Sequence, residues 1–134
     1  MVEINNRIKA NISKKFISDL LKSALRVLKI KQTVISVALV GKAEIKRLNG
    51  KYRHINKTTD VLSVNYILNK AGIDGEIIIC YPIAQERVQT SKYSIRKEIS
   101  KLLVHGLLHL AGYGHCKKKE AEEMERLENK LLNF

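Results

Sequence analysis

Apolar positions recur along the chain with two spacings, one typical of helices and one typical of buried strands. Residues 14–29 repeat apolar side chains every three or four positions behind Ser13, a residue type that caps helices, so we expect a helix there. Residues 33–40 are continuously apolar and rich in β-branched side chains, which predicts a well-buried strand. The same criteria predict strands at 2–5, 61–66 and 76–81, and helices at 42–53, at 82–90, from Ser94 to Gly112, and at 117–132.

This order of elements predicts an α+β fold in which a four-stranded mixed sheet is packed with helices. One strand–helix–strand crossover and one hairpin at 61–81, with its turn through 69–72 and 74–75, connect the strands. The chain has 134 residues and contains no repeat or linker, so we expect one domain spanning residues 1–134.

The composition narrows the class of protein. No apolar run approaches the ~20 residues of a membrane span, and residues 1–6 lack the basic and apolar segments of a signal peptide. The two cysteines, Cys80 and Cys116, do not make a disulfide framework, and Cys116 is interpreted as an incidental thiol. We therefore expect no membrane association and a cytoplasmic location.

Basic residues outnumber acidic residues almost two to one. The chain has 25 Lys and Arg against 13 Asp and Glu, a formal net charge of +12. Residues 117–134 hold five of each sign, so the whole excess lies in residues 1–116. This excess of positive charge predicts a polyanionic partner, of which RNA is the obvious one. Excess lysine can also serve solubility alone.

The stretch most informative about chemistry contains three of the chain's four histidines. His105 and His109 are four residues apart, so on a helix their imidazoles share one face and can bind one ion. Gly112 can end the helix with a positive φ and turn His115 back towards the pair. Three neutral nitrogen ligands with a fourth position open for water are typical of catalytic zinc, so we expect one Zn²⁺ per chain at these histidines.

The same histidine spacing is found in metzincin proteases, which carry a glutamate base directly after the first histidine. Here that position is Gly106, which either leaves room for substrate or permits close helix packing. A zinc metalloprotease therefore stays an open alternative. Asp60 and Glu76 are candidates for the vacant acid–base role, although either could instead cap a turn or pair with a lysine, which is the interpretation favoured for Glu76.

A family resemblance is carried by the stretch His105-Gly-x-Leu-His-Leu-x-Gly-Tyr-x-His115. It resembles the signature of the YbeY family, bacterial metal-dependent endoribonucleases of ribosomal RNA maturation. Four other stretches fit this family: Leu48-Asn-x-x-Tyr-Arg53, Thr58-Thr-Asp-Val-Leu-Ser63, Gly75-Glu-Ile-x-Ile-Cys80 and Glu120-Ala-Glu-Glu-Met124. The chain departs from the family at Gly114, where Asp is usual, and at Val64-Asn65, where Phe-Pro is usual.

The resemblance implies a zincin-like active-site helix and a single-strand-specific endoribonuclease. Its partners would be ribosomal RNA and the ribosome, with roles in maturing the 3′ end of small-subunit rRNA and in ribosome quality control. Arg53 matches the family's catalytic arginine, and His105 is expected to be catalytic as well as a metal ligand. Lys117 and Lys118 adjoin the histidine motif and are expected to contact the RNA backbone. A non-catalytic ribosome assembly factor, whose metal only holds the C-terminal helices, is the second alternative.

Overall fold

The computed structural model describes residues 1–67, 72–113 and 118–132. Within these ranges the chain forms four strands, β1 (Val2–Asn6), β2 (Gln32–Val40), β3 (Val61–Ile67) and β4 (Gly72–Cys80). It also forms five helices, α1 (Lys14–Val27), α2 (Lys42–Arg53), α3 (Tyr81–Gln89), α4 (Ile95–Leu110) and α5 (Lys118–Leu132).

The strands form one mixed sheet in the order β1-β2-β4-β3. β1, β2 and β4 are parallel, and β3 pairs antiparallel with β4 at the edge. The β1–α1–β2 segment is the predicted crossover, and β3–β4 is the predicted hairpin. The α+β fold with a four-stranded mixed sheet is thus confirmed.

Alternate residues of the sheet face two separate apolar cores, as the twofold repeat of a strand requires. The core beneath α1, α3, α4 and α5 contains the strand residues Ile35, Val37, Leu39, Ile73, Ile77 and Ile79. The core beneath α2 contains Ala38, Val40, Leu62, Ile78 and Cys80. The helix that carries the histidine motif and the helix that carries Arg53 therefore pack on opposite faces of the sheet.

The histidine helix α4 has the predicted start and end. The Ser94 hydroxyl accepts a hydrogen bond from the backbone N–H of Lys97 at 3.1 Å, which caps the first turn. Gly112 follows the helix with φ +97°, and the N–H of Tyr113 donates to the Leu108 carbonyl at 3.0 Å. α4 is the longest helix in the described ranges, where no helix combines the length and apolar character needed to cross a membrane.

The prediction for the start of β4 was wrong. A turn was expected through Asp74 and Gly75, but the strand begins at Gly72, because its first residues pair with β2 along the register Gln32↔Gly72. A Cβ at Gly72 would lie 2.0 Å from the Gln32 carbonyl oxygen, so glycine serves this close pairing. Tyr81, expected to end the strand, is instead the first residue of α3.

Candidate metal centre

The side chains of His105 and His109 converge one turn apart on α4. Their Nε2 atoms are 3.1 Å apart, and their rings meet edge to face with centroids 4.6 Å apart. Two ligands of a tetrahedral zinc ion at ~2.0–2.1 Å would lie about 3.3 Å from each other. The two imidazoles therefore fit a shared zinc ion, both in donor type and in separation.

Glu128 of α5 fixes the orientation of the first histidine. Its Oε1 atom lies 2.9 Å from Nδ1 of His105. In a neutral imidazole, a hydrogen on Nδ1 that is donated to this carboxylate leaves Nε2 with the lone pair that a metal ion needs, on the side of His109. Carboxylates commonly orient metal-binding histidines in this way.

The third predicted ligand, His115, lies outside the described residues, as does Lys117. Gly112 ends α4 with the predicted positive φ. No group of three His, Cys, Asp or Glu side chains with metal-binding geometry is found within residues 1–67, 72–113 and 118–132. The three-histidine centre thus stays a prediction, of which the structure brings two members together.

A cavity of about 170 Å³ adjoins His105. It is lined by residues from β3, its preceding loop, and three helices: Asp60, Val61, Arg87, Glu98, Lys101, Leu102, His105 and Glu128. Because Val61 pairs with Ile79, the cavity lies at the carboxyl end of β4. Ligands of α/β proteins commonly bind at this end of parallel strands.

Arg87 joins three elements at the wall of the cavity. Its Nη1 atom donates to Asp60 and to Glu98, each at 2.9 Å. These hydrogen bonds raise the pKa of the Arg87 guanidinium above its ordinary value, Asp60 being the larger cause. The partner Glu98 is almost fully buried, at 2% exposure, so the ion pair compensates a carboxylate that would otherwise lack solvation.

The two acid–base candidates differ in their surroundings. Asp60 lines the cavity near His105 and is paired with Arg87. Glu76 accepts a hydrogen bond from the Tyr66 hydroxyl at 2.5 Å and lies on the strand face that α2 covers. Only Asp60 is therefore near the histidines.

Gly106 allows α4 to approach the sheet closely. A Cβ at this position would lie 2.8 Å from Cγ2 of Ile77 and 3.2 Å from the Ser63 hydroxyl. That hydroxyl also donates to the Gly106 carbonyl at 3.2 Å. A glutamate side chain would not fit here, which supports the packing interpretation and disfavours the metzincin alternative.

Arg53 is the last residue of α2, and its side chain is exposed. His54 ends the helix in the left-handed conformation, with φ 58°. Arg53 is not among the residues that line the cavity beside His105. Lys118 begins α5 and is also exposed. The structure thus brings His105 and His109 together, and Arg53 does not line the cavity beside His105.

Sequence reasoning missed Glu128, Glu98 and Arg87. The two glutamates could have been found in the sequence because each places a charge on an otherwise apolar helix face. Glu128 is one turn beyond the buried Met124, and Glu98 stands one turn before the buried Leu102. A carboxylate at such a position needs a partner, although the sequence does not say which one.

The chain is similar to known proteins over almost its whole length. A family model described as Endoribonuclease YbeY matches residues 2–134. A protein of Buchnera aphidicola (subsp. Schizaphis graminum) named Endoribonuclease YbeY is 33% identical, over 99% of this chain and 86% of its own length. A protein of the same name from Aster yellows witches'-broom phytoplasma is 37% identical, over 98% and 92%. The solution structure of TM1509 from Thermotoga maritima superposes with a TM-score of 0.70 at 30% identity, covering 98% of this chain and 87% of that one.

Proposed function

The chain belongs to the YbeY family of endoribonucleases, and from this membership we propose that it is a zinc-dependent hydrolase that cuts single-stranded RNA. The observation that carries the proposal is the pair of Nε2 atoms 3.1 Å apart beside a cavity at the carboxyl end of the parallel strands. We propose maturation of the 3′ end of small-subunit rRNA and ribosome quality control as its tasks, performed in the cytoplasm by a single domain of residues 1–134.

The residues proposed to hold one zinc ion are His105, His109 and His115. When bound there, zinc would lower the pKa of a coordinated water towards ~7 or polarise the scissile phosphate. Glu128 supports this role by keeping the hydrogen of His105 on Nδ1, so that Nε2 is available as a ligand.

Arg53 is proposed to stabilise the charge that develops on the phosphoryl oxygens. Its guanidinium is exposed, and within the described ranges it makes no ion pair, so its donors are available to an RNA phosphate. Lys117 and Lys118 are proposed to contact the RNA backbone. Because α2 and α4 pack on opposite faces of the sheet, a substrate that meets Arg53 and the histidines would pass around the edge formed by β3.

A non-catalytic assembly factor is the competing function. The hydrogen bond between His105 and Glu128 joins α4 to α5, so a metal at this point would also fix the two helices. If the metal had only this structural role, loss of the metal and loss of the packing of α5 on α4 would occur together. The protein would then cut no RNA.

The proposal is tested with purified protein and three substrates: a short single-stranded RNA, the same RNA as a duplex, and casein. Each is incubated with protein as prepared, with protein treated with a chelator, and with treated protein resupplied with Zn²⁺. Cleavage of the single strand alone, lost with chelator and restored by Zn²⁺, is the expected result. Intact RNA in every sample would refute the nuclease proposal. Cleavage of casein would support the metalloprotease alternative.

Metal content provides the second readout. Elemental analysis of His105→Ala, His109→Ala and His115→Ala proteins should show that zinc is lost in each. Full zinc occupancy in any one of these variants would remove that residue from the proposed ligand set.

A further inference from the structure

We propose that Tyr93, Lys97 and Lys101, here called the lysine stripe, bind the backbone of a single-stranded RNA and lead it to the histidine pair. The inference rests on the proposed function and adds to it the place where the substrate strand lies. It starts from the positions of the accessible residues on α4.

The accessible face of α4 narrows to a single line of residues. Beyond residue 100, only Lys101, His105 and His109 of this helix are not buried. Together with Lys97 they follow each other at intervals of four, so they lie on one helix face about 6 Å apart along the axis. This spacing is comparable with the separation of neighbouring phosphates in an extended single strand.

The two ammonium groups of the stripe share one aromatic ring. Nζ of Lys97 lies 4.5 Å from the ring centroid of Tyr93, and Nζ of Lys101 lies 4.8 Å from it. The face of an aromatic ring attracts cations through its quadrupole. The ring therefore orders both lysines while leaving their full positive charge in place, unlike a carboxylate partner.

Within the described ranges, neither Lys97 nor Lys101 forms an ion pair, and both are exposed. Two like charges held over one ring repel each other, and an anion bound between them would relieve that repulsion. The acidic groups nearby are already engaged, since Glu98 is paired with Arg87 and Glu128 with His105. Phosphate is thus the anion class that this surface suits.

Lys101 connects the lysine stripe to the proposed metal site. It lines the same cavity of about 170 Å³ as His105. A strand that lies on Lys97 and Lys101 would therefore continue directly over the histidine pair. The stripe contacts only backbone charge in this arrangement, so its contribution would not depend on the base sequence.

The test compares two double variants that each remove two positive charges. Lys97→Ala/Lys101→Ala alters the stripe, and Lys31→Ala/Lys46→Ala is the matched control. Lys31 precedes the amino end of β2 and Lys46 lies on α2, so both exposed control lysines are away from the stripe. A third variant, Tyr93→Phe, keeps the ring and removes only the hydroxyl, whereas Tyr93→Ala removes the ring.

Affinity for a fluorescent single-stranded RNA is measured with chelator-treated protein over a series of salt concentrations. The stripe variant should bind roughly tenfold more weakly than the control, the scale of two exposed charge contacts. The slope of log affinity against log salt should be less steep by about 1.4, because two phosphate contacts are lost. Tyr93→Ala should weaken binding and Tyr93→Phe should not.

Equal affinity and equal salt slope in the stripe and control variants would overturn the inference, whether or not the protein cuts RNA. Conversely, weaker RNA binding by the stripe variant alone would support the inference even if the protein cut no RNA. In that case the nuclease proposal would fail, but the lysine stripe would still be an RNA-binding surface. Where cleavage occurs, the stripe variant should lose kcat/KM mainly through a higher KM. Unchanged zinc content and thermal melting confirm that the variants are folded.

Discussion

Removing the carboxylate of Glu128 should weaken zinc binding without unfolding the metal-free protein. In Glu128→Ala the hydrogen bond of 2.9 Å to Nδ1 of His105 is lost. The ring can then rotate, and its hydrogen can move to Nε2, the atom that faces His109. Both changes reduce the population of His105 that is ready to bind a metal.

The magnitude follows from the exposure of the two partners. Loss of a residue that orients a metal ligand typically costs 10–100-fold in metal affinity. The side chains of His105 and Glu128 are 34% and 27% exposed, so water partly replaces the lost contact. We therefore expect the low end of the range, about tenfold or ~1.4 kcal/mol. The metal-free protein should lose at most ~1 kcal/mol of its unfolding free energy.

The assay is competition for Zn²⁺ between the protein and a chromophoric chelator, with urea unfolding of the metal-free form beside it. Glu125→Ala is the matched control, because it removes an exposed carboxylate from the same helix. Glu128→Gln, whose amide oxygen can still accept the hydrogen bond, should bind zinc with intermediate affinity. Equal zinc affinity in Glu128→Ala and Glu125→Ala would refute the reasoning, and a large loss of metal-free stability would show a structural role instead.

Three further predictions concern other residues. Arg53→Ala should cut RNA about 10²–10³ times more slowly at saturating substrate, with unchanged zinc content and melting, because a preorganised charge at the phosphate is lost. Gly106→Ala should lower the unfolding free energy by about 1 kcal/mol in urea, since overpacking against Ile77 exceeds the gain in helix propensity. Burial raises the pKa of the Cys80 thiol. In a Cys116→Ser variant, the Cys80 thiol should therefore react with a disulfide reagent at pH 8 far more slowly in the folded protein than in denaturant.

Each of these predictions has an outcome that contradicts it. Near wild-type cleavage by Arg53→Ala would place the catalytic arginine elsewhere. Gly50→Ala is the control for the helix glycine, since a Cβ there meets only the Ile55 carbonyl oxygen at 3.9 Å and should stabilise α2. Equal effects of the two glycine substitutions would exclude a clash at Gly106. Equal thiol reactivity in folded and denatured protein would show that Cys80 is accessible.

Local signals predicted most of the elements. Ser13 and Ser94 cap helices through side-chain hydrogen bonds, and Gly112 ends α4 with a positive φ, as expected of these residue types. The histidine spacing predicted the convergence of two imidazoles because it depends only on helix geometry. Such features involve residues close in the sequence, which is why the sequence alone suffices for them.

Features that depend on distant contacts were not predictable in the same way. β4 begins at Gly72 because Gln32, forty residues earlier, pairs with it across the sheet. The bond between His105 and Glu128 depends on how α5 packs against α4. Likewise, the sequence pattern of α2 does not specify which face of the sheet it covers, so the packing of α2 and α4 on opposite faces could not be anticipated.

The bridge from Arg87 to Asp60 and Glu98 constrains how this protein can evolve. A lineage that replaces Arg87 alone would remove the ion-pair partner of the almost fully buried Glu98 carboxylate, a costly intermediate. Exchange of both residues for apolar ones of similar volume would avoid that penalty. Substitutions at these two positions should therefore be coupled during descent, although one lies on α3 and the other on α4, and neither is a proposed ligand of the metal.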